Sequence, residues 1–509
     1  MDVLITAYEY FAKHAEGRKS CLSFFGRSFS GEETIRRVNA MADFLAAKGV
    51  GKGDVVAINL PNTPECVFTI YAVNKLGAIA FVTHPLLPLE ALRVDLARTD
   101  ARLLVCMNTL TADVGVPKVL CDGVSFLPPV KRVLAQILRR GGNAAGEKYP
   151  YEALGSAEIF GVGAADDVAF YLPSGGTTGE PKIIRVTNRA VNANAEATLS
   201  LAKTDLTPYG VLLALPFFHG FGLSSSLHGA VSGGAEGVIV PYFNPKTVAH
   251  YVARGKVNII LGVPNMYRKL LAEKTFRRGI KKMRLAFSGG DTLPERMKLE
   301  YDECAKKAGS LSRLYQGYGL AETVSVCVAN SFGEDKAGAI GKPVNATVKV
   351  LKEDGSEAKT GEVGEIAVRT ECMMKGYLGQ EDFSAPYLLT GDLGFTDEEG
   401  FVHFSGRKKR IIVIGGMNVY PVEIERAAMS LDFVTEAAAI EYRVDNKPMI
   451  ALFLSDRSEL SQEKKREVVR ARLSSLVIRY AMPTKILFLP EIPHTDVGKA
   501  DLIALAKRV

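Results

Sequence analysis

Short apolar runs alternate with helix-period segments through the first two thirds of the chain. Residues 55–60, 78–82, 211–215, 237–242, 257–262 and 283–288 are apolar, strand-like runs, and 64–75 has a helical pattern. Strand and helix in alternation predict a doubly wound α/β sheet. After about residue 331 the pattern changes. Residues 347–351 and 365–370 flank a turn at Asp354-Gly355, and 391–395 and 401–404 flank one at Glu399-Gly400, which predicts two antiparallel hairpins. From Gly406 onward a small α+β unit is expected, with a helix over 422–429, a strand pair over 437–442 and 449–454, and a helix over 461–476. The boundary falls at Arg407-Lys408-Lys409-Arg410, just before the apolar run 411–414.

One further segment stands out. Val130, Val133, Leu134, Ile137 and Leu138 follow helical spacing and are flanked by Lys131, Arg132, Arg139 and Arg140. Packing of this stripe on the core is the favoured reading, and contact with an anionic membrane surface is the alternative.

Composition adds mainly exclusions. The 509 residues suggest roughly three domains or subdomains at about 150 residues each. The 63 Lys+Arg against 56 Asp+Glu leave +7, and the basic residues are interleaved with acids. No tract has the density of a nucleic-acid groove, although a weak preference for anionic small molecules remains. No apolar stretch reaches the ~18 residues of a membrane span, and residues 1–20 lack a signal-peptide core, so a cytoplasmic protein is expected. The seven cysteines are scattered, without C-x-x-C or a histidine at ligand spacing, and are expected to be buried reduced thiols.

The most informative segment is YLPSGGTTGEPK, residues 171–182. A β-like run enters a loop of glycines and hydroxyls closed by Lys182, a pattern that crowds backbone N–H groups and a cation around an oxyanion. It lacks the spacing of a Walker A loop. Four further blocks follow in order: YQGYGLAET (315–323), LTGDLG (389–394), GRKKRIIVIGGMNVYPVEIE (406–425) and PHTDVGKADLIAL (493–505). Together the five resemble the adenylate-forming superfamily of acyl-CoA synthetases, peptide-synthetase adenylation domains and firefly-type luciferases, over essentially the whole chain.

The resemblance implies a large N-terminal AMP-binding domain, residues 1–408, of doubly wound mixed sheets with an antiparallel β-barrel-like subdomain. A small mobile α+β C-terminal domain, residues 409–509, would follow. It also implies ATP, Mg²⁺ and coenzyme A as cofactors or cosubstrates, and assigns roles. Ser174, Gly176, Thr177, Thr178, Gly179 and Lys182 match the loop holding the β- and γ-phosphates. Ser288, Gly289 and Gly290 match a turn beside the adenine and the acyl carboxylate; Tyr318, followed by Gly319, matches the aromatic that stacks on adenine. Glu322 matches the Mg²⁺ ligand, Asp392 the ribose acceptor, Arg407 a nucleotide contact and Lys409 the hinge. Lys499 matches the lysine bridging the reacting carboxylate and the α-phosphate, and Gly415 and Gly416 the backbone that replaces it for the thiol step.

Three positions depart from the family pattern. Ala321 stands where many relatives carry a threonine that bonds the α-phosphate, a loss of roughly 1.5–3 kcal/mol. In this it is similar to ligases that pass the adenylate to a carrier protein. Gly175 replaces a second loop hydroxyl, and the stretch from Tyr377 to Thr390 is short.

Residues 214–234 resemble the segment lining the acyl pocket. Amino-acid-activating relatives place an acid there, whereas this chain has Phe217, Phe218, His219, Gly220, Phe221 and Gly222. An uncharged slot disfavours an ammonium substrate, and His219 is expected to gate or line it. The expected activity is an acyl-CoA synthetase for a hydrophobic acid, first a fatty acid. The alternatives are an aryl-acid–CoA ligase, a ligase loading an acyl carrier protein, a luciferase-like oxygenase and a non-catalytic sensor.

Overall fold

The computed structural model describes residues 2–138, 144–174, 182–414, 417–444, 447–495 and 499–509. Two large mixed sheets dominate. The eight-stranded sheet runs in the order Gly376–Tyr377, Ile183–Thr187, Val168–Pro173, Ile79–Val82, Val55–Asn59, Ala101–Met107, Lys118–Cys121, Glu147–Lys148. In the nine-stranded sheet, Ile259–Gly262, Leu285–Ser288 and Leu314–Gly319 lie side by side and parallel. The apolar runs read as strands without alternation because their two faces are covered: every residue of Val55–Asn59 is buried.

Helix Pro64–Lys75 begins where the sequence predicts. Thr63 accepts the Cys66 N–H through its side chain, and Pro64 fills the first turn, where a missing N–H costs nothing. All its residues but Lys75 are buried, and one continuous core joins residues of both large sheets around it. The two predicted hairpins form one antiparallel sheet in the order Ala346–Leu351, Gly364–Thr370, Leu388–Thr396, Val402–Arg407. Beyond it, residues 412–509 build cores of their own around the antiparallel pair Val434–Val444 and Lys447–Asp456 and helices Pro421–Met429 and Gln462–Leu476.

Helix Pro129–Leu138 forms as predicted, and of its apolar stripe only the Val130 and Val133 side chains are described. Val130 and Val133 are 82% and 56% exposed, so those two side chains do not pack on the core. Lys131 ties the helix to Phe25: its Nζ donates to the Phe25 carbonyl at 2.9 Å and sits over the Phe25 ring. All seven cysteines are free thiols, six of them buried. Among the described residues no helix is long and apolar enough to cross a membrane.

Candidate active site

Ser288 and Tyr318 lie at the carboxyl ends of parallel strands, where open α/β sheets bind ligands. Strand Leu285–Ser288 ends on Ser288, fully buried, whose Oγ has no hydrogen-bond partner. Gly289 donates its N–H to the Gly262 carbonyl at 3.0 Å, and a Cβ there would lie 3.2 Å from the Phe221 ring. Gly290 turns the chain at φ +78°, a conformation that favours glycine.

Strand Leu314–Gly319 carries Tyr318 to Asp392. The tyrosine hydroxyl donates to Asp392 Oδ2 at 2.7 Å. Arg407 is the cross-strand partner of Asp392, and its Nε approaches Oδ1 to 3.2 Å without hydrogen-bond geometry. Asp392 is only 2% exposed, and burial holds its carboxyl above the ordinary range although Arg407, Tyr318 and Lys499 pull it down. Burial and the Asp392 charge push the Tyr318 hydroxyl well up. Gly319 admits no side chain, because a Cβ would sit 1.8 Å from the Ser325 carbonyl oxygen.

The phosphate loop is closed at its base. Ser174 N–H donates to the Lys182 carbonyl at 2.7 Å, and Lys182 N–H donates back to Ser174 Oγ at 3.1 Å. Gly176, Thr177, Thr178 and Gly179 lie outside the described residues, as do Gly415 and Gly416. Lys182 Nζ stands 4.5 Å above the Tyr377 ring, and the Tyr377 hydroxyl donates to Glu322 Oε1 at 2.9 Å. Tyr377 therefore links the loop lysine to the candidate metal ligand. Sequence reasoning gave it no role; its link is made by the pairing of Gly376–Tyr377 with Ile183–Thr187.

Glu322 sits on the short turn Ala321–Thr323, and the next residue is strained. Val324 has φ +61° and ψ −47°, with Ser325 N–H donating to the Thr323 carbonyl at 2.6 Å. This is a three-residue γ-turn with positive φ, rare for a β-branched residue. It aims the Val324 carbonyl at Gly220, where a Cβ would lie 1.6 Å from the oxygen. No side chain of any kind fits there. Phe217 and Phe218 are buried in the main core, which leaves His219 and Phe221 beside the site.

The segment after Gly220 is the π-helix Phe221–Ala230, a form often found at functional sites. Ser224 and Ser225 donate to Asn194 Oδ1, at 3.0 and 3.2 Å. His219 is neutral at neutral pH, because burial, then the Lys499 and His84 charges, press its pKa down to about 4. Its Nε2 is buried without a partner.

Lys499 comes from the small C-terminal unit. Thr495 N–H donates to the Lys499 carbonyl at 2.7 Å, His494 bridges to Ala500, and Asp501 N–H donates to the Pro493 carbonyl at 2.8 Å. These bonds lie within the small unit and fix the Lys499 backbone, while Arg407, Asp291 and Asp392 of the large unit act on its charge. Burial lowers its pKa, Arg407 lowers it further, and the two aspartates raise it. Lys409 is exposed on the turn Lys408–Arg410, flanked by the ion pairs Lys408–Glu365 at 2.9 Å and Arg410–Glu425 at 2.7 Å.

The donor set fits a nucleoside triphosphate. Ser288 Oγ and Asp392 Oδ1 are buried polar atoms without a hydrogen bond; Arg407 and Lys499 act on Asp392, and Lys182 stands over Tyr377, so cations are at hand for anionic oxygens. Among the described residues no three His, Cys, Asp or Glu side chains cluster to hold a metal. A single carboxylate at Glu322 suits Mg²⁺, which takes one or two carboxylates and completes its shell from phosphates and water.

Known proteins fit this geometry. The family described as AMP-binding enzyme matches residues 9–378. The long-chain-fatty-acid–CoA ligase of Bacillus subtilis (strain 168) is 28% identical over 515 residues, covering 94% of this chain and 90% of that one. The 2-succinylbenzoate–CoA ligase of the same strain is 30% identical over 471 residues, covering 90% and 89%. The solved structure of o-succinylbenzoate coenzyme A synthetase from Bacillus subtilis, in complex with ATP and magnesium ion, has a TM-score of 0.78 at 25% identity, over 99% of this chain and 100% of that chain. These relatives are CoA ligases, and the chain belongs to the AMP-binding enzyme family of the adenylate-forming superfamily, as its five motifs predict.

Proposed function

We propose that this protein is an AMP-forming acyl-CoA synthetase for a hydrophobic carboxylic acid, with a fatty acid as first candidate. The observation that supports it best is the convergence of Lys499 from the small unit with Asp392, Arg407 and His219 of the large one. In the first half-reaction the acid's carboxylate attacks the α-phosphorus of ATP, giving acyl-adenylate and pyrophosphate. Asp392 and Tyr318 hold the nucleoside, Lys182 the outer phosphates, and Lys499 offsets charge gathering at the α-phosphate. Mg²⁺, when bound, supplies further neutralisation, with Glu322 as its protein carboxylate. His219, neutral and beside Phe221, lines the acyl side.

In the second half-reaction the thiol of coenzyme A attacks the adenylate carbonyl and displaces AMP. Residues 409–509 turn about Lys409 between the steps, and Gly415 and Gly416 then leave room for the pantetheine arm. ATP and coenzyme A are both cytoplasmic, which supports a cytoplasmic site of action. The 30% identity to a succinylbenzoate ligase favours an aryl acid as the second reading. AMP release measured across acids from acetate to palmitate, and benzoates, with and without coenzyme A, tests the proposal. Release of AMP requiring coenzyme A supports it, and the best acid separates alkyl from aryl. Pyrophosphate exchange without turnover of free coenzyme A would transfer the acceptor to a carrier protein. No release with any acid would overturn the reading.

A further inference from the structure

We propose that Arg268, Glu436 and His494 form a clamp between the two units that positions Lys499 for adenylate formation and opens before thioester formation. The inference rests on the reading above, that Lys499 serves the first half-reaction and leaves for the second.

Arg268 belongs to helix Pro264–Ala272 of the large unit, and its guanidinium is steadied by Asn265 Oδ1 at 2.9 Å. Glu436 lies on strand Val434–Val444 of the small unit. Its Oε1 receives two partners at once: Arg268 NH2 at 3.3 Å and His494 Nε2 at 2.9 Å. Glu491 Oε1 stands 4.0 Å from the same guanidinium nitrogen. The side chains of Arg268, Glu436 and His494 are 18%, 18% and 16% exposed, so solvent screens the cluster little. Burial pushes the Glu436 carboxyl up while Arg268 and His494 pull it down, which is the pattern of a carboxylate that depends on its partners.

A second charged contact between the units differs in kind. Arg296 donates to the carbonyls of Leu431 and Asp432, and its side chain and that of Asp432 are 48% and 99% exposed. An ion pair that wet contributes little. The shielded cluster also has the direct route to Lys499. His494 opens the hairpin that carries it, through the bridge to Ala500 and the Thr495 bond to the Lys499 carbonyl. Arg268 thus fixes Glu436, Glu436 fixes His494, and His494 fixes the hairpin. When the small unit turns, Arg268 stays with the large unit while Glu436 and His494 leave it. The contact exists in one arrangement only, so its loss affects the two half-reactions differently.

The test is a double-mutant cycle on the full chain, with palmitate and benzoate run in parallel. Arg268→Met keeps much of the side-chain volume and removes the charge. It is expected to slow pyrophosphate release by roughly 10-fold to 100-fold, the effect of displacing a positioned group by about 1 Å. Thioester formation from synthetic acyl-adenylate and coenzyme A should stay within about twofold of the parent or become faster. Arg268→Lys should restore part of the first step. Because Arg268 acts through Lys499, the double variant Arg268→Met/Lys499→Ala should be no slower than Lys499→Ala alone. Equal slowing of both half-reactions by Arg268→Met, or multiplied losses in the double variant, would mark Arg268 as merely structural and overturn the clamp. Normal pyrophosphate release in Arg268→Met would overturn it as well, while a slow Lys499→Ala left the catalytic reading intact. Normal release in Lys499→Ala would instead remove the reading on which the clamp depends.

Discussion

ATP binding should separate Asp392 from Lys499. Asp392 presents one buried carboxylate oxygen to Tyr318 at 2.7 Å and keeps the other without a hydrogen bond. A hydrogen bond to a charged group contributes roughly 1.5–3 kcal/mol, so two ribose hydroxyls on that carboxylate are worth about 3–6 kcal/mol. At 1.4 kcal/mol per decade that corresponds to roughly 10²–10⁴ in Kd. Arg407 already stands 3.2 Å from the open oxygen, and the nucleotide must share it, which favours the lower part of that range. Asp392→Ala is therefore expected to weaken ATP binding by about 10²–10³. Lys499→Ala, which removes a group proposed to act as charge develops, should change it by less than about threefold. Isothermal titration calorimetry with Mg·ATP gives both numbers. Asp392→Asn keeps an oxygen for the Tyr318 hydroxyl and separates lost charge from lost packing; its effect should be intermediate, with an unchanged melting curve. Burial raises the Asp392 pKa, so the carboxylate is lost on acidification at a pH above the 3.8 of an ordinary aspartate. The acid limb of ATP affinity should lie correspondingly higher and vanish in Asp392→Asn. Equal affinity losses in Asp392→Ala and Lys499→Ala would refute this division of labour.

Four further outcomes follow from the same geometry. Lys499→Ala should slow adenylate formation by about 10²–10³ in rapid-quench assays and leave thioester formation from synthetic acyl-adenylate near normal. Burial and Arg407 lower the Lys499 pKa, so its charge and the adenylation rate are lost as pH rises toward values below the usual 10.5; Arg407→Gln should move that alkaline limb upward. Tyr377→Phe removes the hydroxyl bond to Glu322 but keeps the ring beneath Lys182, and should raise the KM for Mg·ATP about tenfold, whereas an unchanged KM would mean the link is idle. Gly220→Ala forces a methyl group against the Val324 carbonyl and should destabilise the protein by about 1–3 kcal/mol in urea unfolding; a parental midpoint would contradict the γ-turn.

Much of the fold was legible because burial leaves its mark directly on composition. The run 55–58 of strand Val55–Asn59 reads as unbroken apolar sequence since both its faces are covered, and Asp354-Gly355 and Glu399-Gly400 punctuate their hairpins whatever lies beyond them. The candidate site was legible where one residue type has one chemical task. Asp392 and Lys499 lie far apart in sequence, yet each sits in a motif strict enough to carry it, and folding brings their charges together. Periodicity was weaker evidence. The stripe containing Val130 and Val133 predicts a helix correctly, but a period names a face without saying what that face meets: those two side chains are exposed, and Lys131 between them reaches Phe25.

What the sequence left unmarked is relational. Tyr377 becomes informative only because its strand pairs with the one leaving the phosphate loop, which sets its ring under Lys182 and its hydroxyl on Glu322. Gly220 has its reason outside its own segment, because the Val324 carbonyl fills the space where a side chain would stand. His494 lies within the Lys499 motif, but Arg268 and Glu436 are ordinary charged residues in their own segments, and no local pattern could pair them. Their contact exists only when two separately packed units meet. A local motif constrains the residues that touch a ligand, because the ligand's chemistry is fixed. Residues that decide when those groups arrive answer to the geometry between the units, and the constraint on them is spread across surfaces distant in sequence. The control of Lys499 therefore has to be sought at Arg268 and Glu436 as well as in the motif that contains the lysine.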